Sequence, residues 1–319
     1  MLYSLLKIYS RLALRIYCRK VVVNRPEVLQ AKGPLLLASN HPNSFLDGII
    51  LTTLFNQPVY SLARGDAFKK KKAGKLLRRL RLLPVYRTSE GVENLEHNYT
   101  TFAACRQVFM EGHIVLIFSE GRCENEWHLR PLRKGTARLA LTSWEQGIPL
   151  QVIPTALNYS SFKDFGKVVH LYFGDPITLS SVAGAEGEGK KLLAFNQALA
   201  GRLQPLVYEL DPQVPEAIRR KFPRVKDLAS CMLMPFAAAG WLLHAPLYYP
   251  LRQYAKKTFG NSGHFDSVVT ALLLLAYPVY LLLLLLPAYL FFSWPAIAVL
   301  PVWPFTAWAC VRVKYALGR

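Results

Sequence analysis

The sequence predicts an α/β protein: a mixed sheet flanked by helices, preceded by an N-terminal amphipathic helix and followed by a C-terminal transmembrane hairpin. Three observations predict it. Short apolar runs alternate with helix-period segments between residues 21 and 210. Basic residues recur at every fourth position near the start of the chain, and no charged residue occurs from Ser267 to Val311.

With 319 residues and 52% hydrophobic content, the chain can bury one sizeable core and still carry a membrane element. Its 39 basic and 20 acidic residues give a net charge of +19. Such an excess implies an anionic partner: nucleic acid, an anionic membrane surface or a phosphorylated substrate. The long apolar runs favour a membrane, and the most basic stretch, residues 64–81, contains only Phe68 as an aromatic, which argues against nucleic acid. Cys18, Cys105, Cys123, Cys231 and Cys310 show no paired spacing. This argues against a disulfide framework or a zinc site and fits a reducing compartment.

Residues 1–20 place Lys7, Arg11, Arg15 and Arg19 on one helix face, with Leu, Ile and Tyr filling the rest. The charges rule out a signal-peptide core, and the pattern suits an amphipathic helix on an anionic membrane surface. The sheet domain, 21–210, has candidate strands at Leu35–Ala38, Val59–Ala63, Leu82–Tyr86, Ile114–Phe118, Gln151–Leu157 and Val168–Phe173. Helices are expected to begin near Ser44, Ala67, Asn94, Lys134 and Gly189. Residues 211–266 form a linker and an interfacial segment, since Pro235, Pro246, Pro250 and His244 interrupt the charge-free run from Leu228 to Leu251. Residues 267–311 read as two spans of about 20 residues, enough to cross about 30 Å of hydrocarbon. The turn between them falls near Phe292-Ser293-Trp294-Pro295. Arg252, Lys256 and Lys257 precede the hairpin, and Arg312, Lys314 and Arg319 follow it. Both ends, including a basic tail at 312–319, are therefore expected on the cytoplasmic side of an inner membrane, with the sheet domain facing the cytoplasm.

Three blocks carry chemistry. In Ser39-Asn40-His41-Pro42-Asn43-Ser44-Phe45-Leu46-Asp47, a histidine leaves the end of a buried strand and a carboxylate follows where a helix starts. Imidazole can act as a base near neutrality, and an aspartate can fix its tautomer and stabilise the imidazolium. From Arg64 to Arg87 there are ten basic residues against the single acid Asp66, interleaved with Leu76, Leu77, Leu80, Leu82 and Leu83. That stretch suits an anionic leaflet or phosphate groups. In the third block, strand Ile114–Phe118 runs into Ser119-Glu120-Gly121-Arg122, and Arg133-Lys134-Gly135-Thr136 then opens a helix. Gly121 allows close backbone approach, and the helix opening offers amides and positive charge to a phosphate. The glycine spacing of a Walker loop is absent.

With these blocks in order, the chain resembles the glycerolipid acyltransferase family, the phosphate acyltransferases of the lysophosphatidate and glycerol-3-phosphate type. The family's Asn-His, four residues, Asp is matched by Asn40-His41…Asp47, and its strand ending in arginine by Leu83-Pro84-Val85-Tyr86-Arg87. Phe-Pro-Glu-Gly-Thr-Arg is matched by Phe118-Ser119-Glu120-Gly121-Arg122-Cys123, and an apolar pair before proline by Val152-Ile153-Pro154. The likeness runs from about Val21 to Pro176. His41 and Asp47 are separated by five residues, not four. The longer form, with the Leu129-to-Gly135 pattern, is similar to fungal-type glycerol-3-phosphate and dihydroxyacetone-phosphate acyltransferases and related bacterial proteins. Ser119 replaces the family proline, and Cys123 stands at the third motif's arginine.

The resemblance implies an acyltransferase that needs no cofactor or metal and takes its acyl group from acyl-CoA or acyl carrier protein. The acceptor is phosphorylated glycerol or a lysolipid: 1-acylglycerol-3-phosphate leads, with glycerol-3-phosphate, dihydroxyacetone phosphate or a lyso-aminolipid as alternatives. A lipid-binding homologue without activity is the reading outside the enzyme class. His41 would be the base and Asp47 its partner. Asn40 would shape the turn, Glu120 order the site, and Ser44 and Pro154 support it. Arg87 leads as the cation for the acceptor phosphate, followed by Arg122, Arg133 and Lys134. Amides near the helix start or the Glu120-Gly121 loop would meet the oxyanion.

Overall fold

Apolar and β-branched runs pair into one seven-stranded sheet. The computed structural model describes residues 2–86, 97–182, 184, 186–224, 228–293 and 300–317. The strands are β1 (Cys18–Val23), β2 (Leu35–Ser39), β3 (Val59–Arg64), β4 (Leu82–Val85), β5 (Ile114–Phe118), β6 (Gln151–Tyr159) and β7 (Lys167–Phe173). Their order is β1-β7-β6-β2-β5-β3-β4, and every neighbouring pair is parallel except β6 with β7. The expected mixed α/β class is the observed one. β1 was not anticipated, because Arg19 and Lys20 interrupt it, yet Val21 pairs with Val169 of β7. The sheet domain therefore begins at Cys18, three residues before the expected boundary.

β2 is buried on both faces, which is why its sequence is a continuous apolar run. Its alternating side chains feed two cores. Leu36 and Ala38 join Val115, Leu139, Phe195 and Leu199 beneath α4 (His97–Met110), α5 (Lys134–Glu145) and α6 (Glu188–Leu203). Leu35 and Leu37 join Leu116, Leu46, Ile50 and Leu14 beneath α1 (Leu2–Tyr17) and α2 (Ser44–Leu54). α3 (Lys71–Arg79) sits at the β3–β4 end of the sheet with Lys71, Lys72, Lys75, Arg78 and Arg79 exposed.

The α1 helix forms where expected, but its basic stripe is divided. Lys7 donates to the carbonyls of Asn56 and Gln57, and Arg11 to that of Thr53. Arg11 is drawn there because the last carbonyls of α2 lack helical partners and carry the negative end of its dipole, while Lys7 binds the loop that follows. Leu5, Ile8 and Leu12 face outward instead.

Beyond α7 (Pro215–Lys221) and α8 (Leu228–Met232), the interruptions read from the prolines do not break the chain. α9 (Met234–Phe259) is one helix with Pro246 and Pro250 inside it. α10 (Phe265–Phe292) is, among the described residues, the one helix long and apolar enough to cross a membrane. The second expected span differs. Its place is taken by α11 (Val302–Leu317), a 16-residue helix that carries Arg312 and Lys314 and buries Ala309, Cys310 and Val313 against Ala237 of α9. The first part of the expected span and of its turn, 294–299, lies outside the described residues; α11 as described is shorter than the roughly 20 residues of a span and packs against α9.

Candidate active site

β2 and β5 are neighbours in parallel, so Ser39 pairs with Phe118 and the residues after both strands emerge together at their carboxyl ends. This is where open α/β sheets present ligand sites. His41 lies two residues past β2, its ring stacked on Phe118 at 3.8 Å between centroids and 11° between planes. Asn40 fixes the turn. Its amide donates to the Leu157 carbonyl (3.1 Å) and accepts from the Leu157 N–H (2.8 Å), pinning the turn to β6.

His41 Nδ1 lies 2.9 Å from Asp47 Oδ2. Asp47 sits in the first turn of α2, fully buried, and its Oδ2 also accepts the Asn43 N–H at 2.8 Å. A carboxylate reaching back to the amide at the helix entrance resembles a capping box, and the fifth intervening residue is absorbed in that loop. Tyr159, at the end of β6, donates its hydroxyl to Asp47 Oδ1 at 2.6 Å. Burial, with Asp47 beside it, pushes the Tyr159 phenol well above its ordinary range, so it stays a donor. With Nδ1 donating to a carboxylate, Nε2 carries the lone pair and is the nitrogen that can take a proton.

Glu120 supports the same turn from β5. Its Oε2 accepts the His41 N–H (2.8 Å) and its Oε1 the Arg130 N–H (3.0 Å). Burial raises its carboxyl from 4.5 to about 7, against the lowering effect of those two amides; Asp47 raises it further. Gly121 has a φ of 75°, and a Cβ there would meet Arg133 Cγ at 2.9 Å. Ser119, in the proline's position, accepts from Thr136 Oγ1 (2.9 Å), and its carbonyl holds the Arg133 N–H (2.7 Å).

The expected cations separate. Arg133 and Lys134 are exposed at the start of α5, with the Arg133 stem packed on Gly121. Arg122 turns to Glu124 (3.1 Å). Arg87 lies outside the described residues. Pro154 is not at the site: it is buried in β6 opposite Ala38 and packs on Gly174. Four of the amides in the two segments expected to meet an oxyanion are engaged within the protein. Asn43 N–H goes to Asp47, Ser44 N–H to Cys123 Sγ (2.9 Å), Leu46 N–H to Ser267 Oγ (3.1 Å), and Gly121 N–H to the Phe118 carbonyl (3.1 Å).

Ser44 has a φ of 49° and hydrogen-bonds through Oγ with His264 Nδ1 at 2.7 Å. His264 reads from the sequence as a structural histidine without partners, but the loop before α10 brings it onto the turn that carries His41 and Asp47. Tyr159 and His264 lie 112 and 220 positions from their partners, and no local pattern marks them.

Residues 20–158 match the model of the family described as Acyltransferase. That segment is an Acyltransferase-family domain. It contains the turn after β2, the Glu120 loop and all of β6 but Tyr159, so the expected acyltransferase kinship holds for that segment. The chain is also similar to the solved structure of a 1-acyl-sn-glycerophosphate (LPA) acyltransferase, PlsC, from Thermotoga maritima. Identity is 13% and the TM-score 0.42, over 70% of this chain and 81% of that one. No curated protein matches the chain.

Proposed function

We propose that the protein moves a fatty acyl group from acyl-CoA or acyl carrier protein to a hydroxyl of 1-acylglycerol-3-phosphate, making phosphatidate at a membrane. The observation that carries the reading is the His41–Asp47 pair, with Nε2 of the imidazole left for substrate. A thioester is already activated, so the chemistry reduces to positioning and proton transfer. As the acceptor oxygen attacks the thioester carbonyl, His41 Nε2 takes the hydroxyl proton and Asp47 stabilises the imidazolium. The tetrahedral intermediate collapses, the carbon–sulfur bond breaks, and the thiolate leaves with the proton returned from His41.

Arg133 and Lys134, exposed beside the Glu120-Gly121 loop, suit the acceptor's phosphate; Arg87 and Arg122 remain further candidates. A lipid acceptor agrees with an apolar cavity of about 600 Å³ among α1, α9, α10 and α11, bordered by Tyr17, Trp241, Leu273 and Trp308. α10 would cross the bilayer, while the outward leucines of α1 and the basic face of α3 would rest on its anionic inner surface.

The test is an assay of detergent-solubilised wild type and His41→Ala with labelled acyl-CoA and acyl carrier protein. Glycerol-3-phosphate, 1-acylglycerol-3-phosphate and a lyso-aminolipid serve as acceptors. Transfer to 1-acylglycerol-3-phosphate that vanishes in the variant is expected. Transfer to another acceptor alone would replace the substrate assignment, and equal activity in both proteins would remove His41 as the base.

A further inference from the structure

The catalytic turn is gripped from outside the family-matched segment. Asp266, in the first turn of α10, is 1% exposed and forms a buried ion pair with Lys167 of β7. Its Oδ1 accepts the Tyr17 hydroxyl (2.6 Å), and its Oδ2 accepts Nδ2 of Asn43 (2.8 Å), 223 positions away. The next residue, Ser267, donates to the Asn43 carbonyl (2.7 Å) and accepts the Leu46 N–H (3.1 Å).

Asn43 stands at the entrance to α2, yet its side chain does not cap that helix. Its amide nitrogen belongs to Asp266, its carbonyl to Ser267 and its N–H to Asp47 Oδ2, the oxygen that holds His41 Nδ1. A carboxylate only accepts, so Asp266 dictates which way the Asn43 amide points. A buried ion pair is weak evidence for stability, since apolar residues of similar volume often serve as well. What this one adds is a fixed orientation for the residue on which Asp47 closes.

We propose that Asp266 is a positioning residue for acyl transfer: through Asn43 it holds the His41–Asp47 pair in its reactive geometry, making the start of α10 part of the catalytic apparatus. The inference rests on His41 as the base. A helix that served only as an anchor would leave turnover unchanged when this contact was altered.

The test compares full-length, detergent-solubilised wild type, Asp266→Asn, Asn43→Asp and the two changes combined, with His41→Ala as reference. Each single change is expected to lower kcat about tenfold or more, with KM for donor and acceptor within about twofold, as a misplaced catalytic group does. The combined exchange restores a carboxylate facing a carboxamide with the roles reversed, and most of kcat should return. Wild-type kcat in either folded single variant overturns the proposal. So do losses confined to KM, or an exchange that stays impaired while melting like wild type. If Asp266→Asn fails to fold, Lys167→Met with Asp266→Leu removes both charges together. A tenfold lower kcat in that folded chain supports the proposal and an unchanged kcat overturns it. Activity retained in His41→Ala would instead overturn the reading of the base.

Discussion

Asp47 accepts three donors, from His41, Asn43 and Tyr159, and an amide in its place cannot satisfy them all. In Asp47→Asn the imidazole loses its acceptor and adopts the wrong tautomer. Steady-state assays should find kcat lower by about 10²-fold or more with KM little changed. Tyr159→Phe keeps the carboxylate but strips Oδ1 of its donor, so a smaller, several-fold loss of kcat and about 1 kcal/mol of stability are expected. Glu120 adds a pH dependence. Burial raises its carboxyl to about 7 in the folded protein, so the native state holds this proton more tightly than the open chain. The resulting stability is fully present below about pH 4 and is lost as pH rises through 7. Melting curves between pH 5 and 8 should show wild type declining more steeply than Glu120→Gln; parallel declines would disprove the assignment. The proposed acceptor phosphate gives a separate readout. Arg133→Ala should raise KM for the phosphorylated acceptor by about tenfold or more while KM for the acyl donor holds.

At the level of elements, the central strands and the residues following them could be read from the sequence. β2 and β5 lie in the middle of a largely parallel sheet, covered on both faces, and such strands are unbroken apolar runs. Their adjacency explains how His41 and Glu120, 79 positions apart, come to share a hydrogen bond. Edge strand β1 was hidden by its own charges, and α9 by prolines that packing against α11 tolerates. Tyr159, Lys167 and Asp266 could not be found by spacing, because their chemistry exists only where distant elements meet. The α1–α2 contact belongs to the same class. Lys7 and Arg11 read as a membrane-facing stripe, yet Arg11 closes the carboxyl end of α2 and Lys7 binds the loop that follows. Replacing both with Met should lower stability in chemical denaturation by about 1–2 kcal/mol. Turnover should change little, since Asp47 lies at the opposite end of that helix; a large loss of kcat with unchanged stability would contradict this role.

For the whole molecule, the two kinds of membrane contact proposed above would separate by their response to salt. Apolar anchoring by the exposed Leu282, Leu283, Leu286 and Leu290 of α10 and Leu5, Ile8 and Leu12 of α1 would depend on area removed from water and be nearly indifferent to ionic strength. Attraction of α3 to an anionic leaflet contributes about 1 kcal/mol per basic residue near the surface and decays within a Debye length of about 10 Å at 0.1 M salt. α3 carries five exposed cations in nine residues, with exposed Leu76 among them, so its face matches a charged leaflet better than a neutral one. In proteoliposomes, wild-type activity should therefore rise with the fraction of anionic lipid and fall as salt is raised. Changing Lys71, Lys72 and Lys75 to Gln should flatten both responses without releasing the protein from the bilayer, because α10 still holds it. If the triple variant follows lipid charge and salt as wild type does, α3 does not face the membrane. The basic excess would then act on the phosphorylated acceptor, where Arg133→Ala would account for the salt dependence instead.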